Sequence, residues 1–411
     1  MNVRMIRVCT VCICMLLCAS MVACDGMIKD GIVGELLEQI AGTSDKEKLP
    51  EDVSEMIGSV IEGIPETEKG SDNIIPTPDT EPEYSTEYEY PTEDVTVDEP
   101  IYTPDQFVEG LEYRSHGDGT CTVVGIGTCT DSQIVIPSQL SNGDVVVGIG
   151  LSAFSNCENI TEVVIPDSVT QIEYYAFFSC DNLTSVSIPE SVTELSGTFV
   201  GCISLKSIYL HKDIKLVTGE TFSGCANLEE IVIAPENEKY HSIDNCIVET
   251  ATNTLTVAGK NSRIPDYITS IGERAFEGRA DLKVVHVPDG VTSIGALAFS
   301  GCSNLQTIEI PDSVTYMGEH MFVGDTALES ITVPAGVESI GGWSFFCCTS
   351  LKEITILNPK ITIGEIAFAG CPGLTDVYFA GTQQDWDALV VGEQNEALLE
   401  AEIHLNYVPE S

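Results

Sequence analysis

The six histidines and sixteen cysteines of this 411-residue sequence are the side chains best suited to acid–base, nucleophilic or metal chemistry. The histidines are scattered along the chain, at His116, His211, His241, His286, His320 and His404. No HExxH, GxSxG, P-loop or EF-hand pattern is present, and no nucleophile is paired with a base. The sequence therefore predicts no catalytic residue, no metal site and no cofactor.

Seven cysteines share one position, three residues after a recurring phenylalanine: Cys157, Cys180, Cys202, Cys225, Cys302, Cys348 and Cys371. Arg279 and Asp325 occupy that position in two further repeats. Many cysteines in an exported chain usually indicate disulfides. Residues in a parallel ladder, however, lie about 4.8 Å apart, whereas a disulfide prefers Cβ atoms about 3.8 Å apart. We therefore expect buried thiols that act as small hydrophobic groups and weak hydrogen-bond donors.

The seven cysteines are positioned by a sequence repeat, and the regular spacing of the phenylalanines reveals that repeat. Most of the intervals between them are 23 residues, in the series Phe154, Phe177, Phe199, Phe222, Phe276, Phe299, Phe322, Phe345 and Phe368. A fixed period in the twenties is the signature of a solenoid. Stacked coils expose a long surface rather than enclosing a catalytic pocket.

Residues 282–302 show the physical logic of one repeat. Leu282, Val285 and Val287 form an LxxVxV strand with inward apolar residues, and Pro288 ends it because proline cannot donate to a sheet. This LxxVxV-P…VTSIG…AFSGC pattern resembles the leucine-rich repeat superfamily, in its BspA-like bacterial branch, over about residues 111–380. The fold class expected is a mainly β repeat solenoid with a parallel sheet, in which the phenylalanines stack as one continuous column.

Three segments depart from the period. Residues 120–126 and 134–137 are expected to pair as an opening hairpin, and alternation over 240–248 and 254–258 predicts a hairpin inserted into the stack. The C-terminal run resembles the closing module of such chains and suits a cap for the last coil. The predicted division is a β-hairpin cap at 106–150, repeats at 151–376 with an insertion at about 235–264, and a C-terminal cap at 377–411.

The N-terminal region indicates export. Arg4 and Arg7 precede a short apolar run, which predicts a signal peptide over residues 1–23. Cys24 follows Ala23 and resembles a lipobox cysteine, so it is the predicted lipid attachment site; ordinary secretion and an uncleaved anchor remain open. We expect a lipidated stem with short amphipathic helices at 24–64, and a disordered acidic stalk rich in Pro, Thr and Glu at 65–105.

The middle outward position of each long strand is the candidate ligand-binding face. Its predicted residues are Tyr209, Val232, His286, Glu309 and Tyr378. Tyr209, Val232 and His286 form its most apolar stretch. Exposed strands also favour aromatic and β-branched residues for their propensity alone, which is the alternative explanation of this pattern.

The net charge of -46 argues against a nucleic-acid partner and against direct binding to anionic lipid. The family resemblance implies a non-enzymatic recognition or adhesion protein at the bacterial cell surface, anchored by lipid or alternatively secreted. Its expected partner is a host or matrix protein, a glycan or another cell surface, with membrane contact only through the anchor, and the chain is expected to be a monomer. The alternative function is a structural envelope or spacer protein without a discrete ligand.

Overall fold

The structure is a computed structural model that describes residues 109–408. The predicted signal peptide, Cys24, the helical stem and the acidic stalk all lie outside the described residues. Their assignments stay predictions from the sequence. Within the described part of the chain, no helix combines the length and apolar character needed to cross a membrane.

Short strands dominate the described residues. In chain order they are β1 (Glu112–Ser115), β2 (Thr120–Gly125), β3 (Gln133–Val135), β4 (Val145–Ile149), β5 (Glu162–Val164), β6 (Gln171–Ile172), β7 (Ser185–Ser187), β8 (Glu194–Leu195), β9 (Ser207–Leu210), β10 (Leu216–Val217), β11 (Glu230–Ile233), β12 (Tyr240–Ile243), β13 (Cys246–Glu249), β14 (Thr254–Ala258), β15 (Ser270–Ile271), β16 (Val284–His286), β17 (Ser293–Ile294), β18 (Thr307–Glu309), β19 (Tyr316–Met317), β20 (Ser330–Val333), β21 (Ser339–Ile340), β22 (Glu353–Ile356), β23 (Thr362–Ile363), β24 (Asp376–Phe379), β25 (Val390–Val391) and β26 (Glu402–Leu405). The helices are a 3-10 turn at Gly219–Phe222, α1 (Gln383–Asp387) and α2 (Glu396–Glu400).

Each regular coil contributes one longer and one two-residue strand, and equivalent strands of neighbouring coils pair in parallel. The longer strands form the sheets β3-β5-β7, β9-β11 and β16-β18-β20-β22-β24-β26. Short strands pair in separate sheets, such as β8-β10 and β21-β23-β25. The predicted fold class, a mainly β solenoid with parallel sheets, is confirmed.

The phenylalanines fill the coils as expected, but their column is interrupted. Rings stack from Phe154 to Phe222 and again from Phe276 to Phe368, with neighbouring centroids 5.0–5.8 Å apart. Phe222 and Phe276 belong to two different hydrophobic clusters. The prediction of one continuous column is therefore wrong at this junction.

The insertion causes the interruption, and it has three strands rather than two. Asp244 and Asn245 both have positive φ, 48° and 58°, and form a two-residue turn that separates β12 from β13. Side chains alternate across β13, so Ile247 packs into the N-terminal cluster while Val248 packs into the C-terminal one. The inserted strands thus lie between two hydrophobic cores.

The opening hairpin also differs from the prediction. β2 pairs antiparallel with β1, around a turn in which Gly117 and Gly119 have φ of 80° and 88°. β3, which was expected to pair with β2, instead joins β5 in parallel. The reason is that residues 134–137, Ile-Val-Ile-Pro, carry the strand-then-proline pattern of the repeat and occupy the first position of the long-strand row.

A tight turn precedes most phenylalanines of the repeat, and one residue of this turn has a left-handed backbone conformation. Non-glycine residues with φ of 57° to 64° occupy it in four successive coils: Leu297, His320, Trp343 and Ile366. Such geometry is unfavourable for residues with a Cβ. Hydrogen bonds between coils hold it, since the N–H groups of these residues donate to carbonyls of the next coil at 2.8–3.2 Å.

The C-terminal segment continues both rows of strands as a final coil. β25 pairs with β23, and β26 pairs with β24. Asn395, which is 1% exposed, accepts a hydrogen bond from the N–H of Phe368 and donates to the carbonyl of Gly364. The Asn395 side chain thereby forms a hydrogen bond with a backbone group, the Phe368 N–H, that in the regular coils bonds to the backbone of the next coil.

Candidate recognition surface

The outward positions of the longer strands place the five predicted residues on two different sheets. Tyr209 on β9 is 48% exposed and lies directly beside half-buried Val232 on β11. His286 on β16 and Glu309 on β18 are also register partners, and His286 Nδ1 is 2.5 Å from Glu309 Oε2. Both of these side chains are largely exposed.

The apolar stretch predicted from Tyr209, Val232 and His286 is not continuous. Val232 and His286 belong to separate sheets, and residues 260–264 pass between them. The Lys260 N–H donates to the Leu228 carbonyl at 2.6 Å, and the Asn261 N–H donates to the Asp281 carboxylate at 2.9 Å. The sequence does contain a signal that residues 260–264 take the place of a longer strand between β11 and β16. Ile264-Pro265 repeats the apolar residue and proline that end the longer strands of the regular coils.

Tyr378 lies at the far end of the row, in an aromatic cluster with the last strand. Its ring stacks on His404, with centroids 4.6 Å apart and planes 16° apart, and it also contacts Tyr407 at 5.0 Å. His404 Nε2 is 2.7 Å from Asp376 Oδ1. The sequence did not single out His404, because its partners come from a strand that lies almost thirty residues earlier.

Charged side chains beside the middle row pair with one another. Lys260 Nζ lies 2.7 Å from Glu229 Oε1, and Lys352 Nζ lies 3.0 Å from Glu329 Oε2. The hydrogen bond from Lys260 lowers the pKa of the Glu229 carboxyl. Exposed pairs of this kind contribute little to stability, but they leave short neutralised sections on an otherwise acidic chain.

Two shallow depressions lie away from the five residues. One of about 540 Å³ is lined by Leu151, Tyr174, Glu194 and Leu216, among others. Another of about 510 Å³ lies around Pro311 and its neighbours. Neither depression is lined by any of the five residues.

Each histidine makes a contact that fixes it in the fold. His211 is buried, and its Nε2 lies 2.9 Å from the Val192 carbonyl, while His320 stacks on Trp343 with centroids 6.2 Å apart. His116 bonds Thr120 and Thr122, and His241 bonds Thr250 and Tyr267. The partners of His116 and His241 are hydroxyl groups of threonine and tyrosine side chains.

The profile of the BspA type Leucine rich repeat region matches residues 147–268 and 256–375, in six copies. Together these ranges span more than half of the chain. No curated protein matches the sequence.

Several solved structures are similar over most of the chain. A leucine rich cell surface protein from Faecalibacterium prausnitzii A2-165 is 26% identical, with a TM-score of 0.45, over 71% of this chain and 98% of that one. A leucine-rich repeat protein from Eubacterium ventriosum is 21% identical, with a TM-score of 0.47, over 66% and 82%. The pneumococcal vaccine antigen PcpA is 17% identical, with a TM-score of 0.45, over 74% and 98%.

Proposed function

The chain belongs to the BspA-type leucine-rich repeat family, and from this premise we propose that it is a non-enzymatic recognition protein of the bacterial cell surface. The observation that carries the proposal is the exposed, in-register row of side chains on its longer strands. Repeat solenoids use such extended surfaces to bind partners. The partner classes are a host or matrix protein, a glycan or another cell surface.

Tyr209 is the best candidate for a contact residue on this row. It is one of the exposed large apolar side chains of the described residues, and Val232 is its register neighbour on β11. Tyrosine contributes much contact area with little loss of side-chain freedom, and it is common among residues that dominate binding energy. His286 and Glu309 form a separate polar patch, which calls for its own test.

The test compares two tyrosines on the full chain. Tyr209→Ala is expected to weaken binding to an array of immobilised matrix proteins and glycans by about tenfold or more, the loss typical of a dominant contact residue. Tyr316→Ala is the matched control, because Tyr316 is 58% exposed but lies on the two-residue strand β19, which belongs to a different sheet. His286→Ala, measured separately, reports on the second patch.

Equal binding by wild type, Tyr209→Ala and His286→Ala would reject the assigned face. Absence of binding by the wild-type chain to both matrix proteins and glycans would favour the spacer function instead. The class of array member that is bound distinguishes a protein partner from a glycan.

Surface attachment is proposed to occur through Cys24. Metabolic labelling with palmitate in a bacterial host is expected to label the wild-type chain and to be lost in Cys24→Ala. Cys18→Ala is the control, because Cys18 lies within the predicted signal peptide and does not follow its cleavage region. Label retained in Cys24→Ala would exclude this anchor, and release of unlabelled wild-type protein into the medium would support ordinary secretion.

A further inference from the structure

Three carboxylates lie side by side at the C-terminal end of the six-stranded sheet that runs from β16 to β26. Glu353 on β22, Asp376 on β24 and Glu402 on β26 are successive register partners. Like charges directly opposite one another destabilise a sheet. In the described part of the chain no lysine or arginine forms an ion pair with any of the three, and only His404 does so, with Asp376. This end of the sheet therefore carries uncompensated negative charge.

His404 is held in place beside these carboxylates. It neighbours Tyr378 in register, and the stacked Tyr378 ring fixes the plane of the imidazole. The Asp376 carboxylate is oriented as well, because Thr375 Oγ1 donates to Asp376 Oδ2 at 2.8 Å. Neighbouring groups that orient ligand side chains in this way are a regular feature of metal sites.

We propose that Asp376, Glu402 and His404 bind a divalent transition-metal ion, with Zn²⁺ as the best match. Each residue offers one ligand atom, and the three atoms lie within 4.8 Å of one another. Ligands around a tetrahedral Zn²⁺ at bond lengths of about 2.1 Å are about 3.4 Å apart, so small side-chain rotations bring them into place. The imidazole favours Zn²⁺ over Ca²⁺ and Mg²⁺, which prefer oxygen ligands alone.

The site has two consequences for the molecule. Asp376 comes from β24 whereas Glu402 and His404 come from β26, so the ion cross-links the last two strands of the sheet. It also neutralises the carboxylate row. Three protein ligands leave a coordination position for water or for a group on a bound partner. Zn²⁺ is thus expected to stabilise the C-terminal coil against unfolding.

Isothermal titration of the full chain with ZnCl₂ tests the site. The wild type is expected to show one saturable site, which His404→Gln and Glu402→Gln weaken by at least about tenfold. His286→Gln is the matched control, because His286 lies on the same sheet beside the single carboxylate of Glu309. Its affinity should equal that of the wild type, and Zn²⁺ should raise the melting temperature of both proteins.

Glu402 is exposed, so Glu402→Gln keeps the experiment decisive even when His404→Gln fails to fold. Equal Zn²⁺ affinity in wild type and Glu402→Gln would overturn the proposal. So would tighter binding of Ca²⁺ than of Zn²⁺. Substitution with Co²⁺ adds an independent readout: a spectrum without sulfur charge-transfer bands supports the proposed ligands, and strong bands of that kind would place the ion on cysteines instead.

Discussion

A single position, three residues after each phenylalanine, shows how one side chain links neighbouring coils. The thiol of Cys180 donates to the Phe154 carbonyl of the preceding coil at 3.0 Å, and the same contact recurs at 3.0–3.2 Å along the column. Burial raises the pKa of Cys225 and Cys371 to about 12, so these thiols stay protonated and can donate. The expectation of buried thiol donors agrees with these six contacts, whereas Cys157 is half-buried and its thiol lies 3.8 Å from the Ser155 carbonyl.

Asp325 breaks this column with a carboxyl group. It is fully buried, and burial holds its pKa well above the ordinary value, although the nearby backbone N–H groups of Cys302 and Gly301 act in the opposite direction. The folded chain therefore keeps a proton that the unfolded chain releases. The contribution of this carboxyl to the free energy of unfolding is fully present below its unfolded pKa of about 3.9. As the pH rises from there towards the folded pKa, the free energy of unfolding falls by about 1.4 kcal/mol per pH unit.

Asp325→Asn is expected to remove this pH dependence, because an amide remains neutral and can donate to the Phe299 carbonyl as the thiols do in other coils. Urea unfolding should give similar stabilities for wild type and variant near pH 4, and a more stable variant near pH 8. Exposed Asp312 offers a control, Asp312→Asn. Parallel pH profiles for wild type and Asp325→Asn would contradict a buried neutral carboxyl.

At the scale of elements, the inserted strands act as a partition between two cores. Two ionic contacts accompany them: Arg274 donates to both Glu277 oxygens at 2.8 Å, and Arg279, in the cysteine position, pairs with Asp281 at 2.8 Å. Arg279 Nη1 also donates to the Cys225 carbonyl at 3.1 Å, which replaces the usual thiol contact across the junction. The coil that lies next to the inserted strands therefore differs from the others at its cysteine position, where Arg279 makes the contact to the preceding coil.

Adjacent substitutions on β13 should destabilise opposite sides of the partition. Ile247→Ala is expected to cost about 2–5 kcal/mol and to increase amide hydrogen exchange in β9 and β11. Val248→Ala should increase exchange in β16 and β18, because its side chain packs into the other cluster. Each variant serves as the control for the other, and an identical exchange pattern in both would show that the two cores are a single cooperative unit.

The elements that the sequence predicts well are those that repeat. Phe299 or Pro288 is recognisable because equivalent residues recur in coil after coil and face the same environment. Pairing in irregular segments is harder to predict, since β2 alternates equally well beside β1 or beside β3 and tertiary packing decides. The Asp244-Asn245 turn carried a local signal that the alternation around it obscured.

For the candidate surfaces, too, the sequence predicts the regular positions well and the irregular ones poorly. Tyr209 and His286 lie on outward positions of longer strands, because strand alternation fixes the direction of their side chains. Their separation into two sheets depends on residues 260–264, where the period is lost. His404 meets Asp376 only because the final coil continues the sheet, and no spacing within either strand indicates that contact.

At the scale of the whole molecule, the net charge of -46 opposes compaction. Raising NaCl from about 0.01 M to about 0.15 M shortens the screening length from about 30 Å to about 8 Å. We expect the melting temperature to rise over this range, because relief of self-repulsion outweighs the loss of exposed ion pairs. The measurement is made with a chelator present, and a falling melting temperature would contradict dominant self-repulsion.

The central claim is that like residues stack in register from coil to coil, with the inserted strands dividing the stack. A crystal structure of the chain measures this directly through the phenylalanine rings. The account predicts stacked rings 5.0–5.8 Å apart from Phe154 to Phe222 and from Phe276 to Phe368, with β13 between the two sections. Scattered rings, or an unbroken column with the inserted strands packed outside it, would contradict the account.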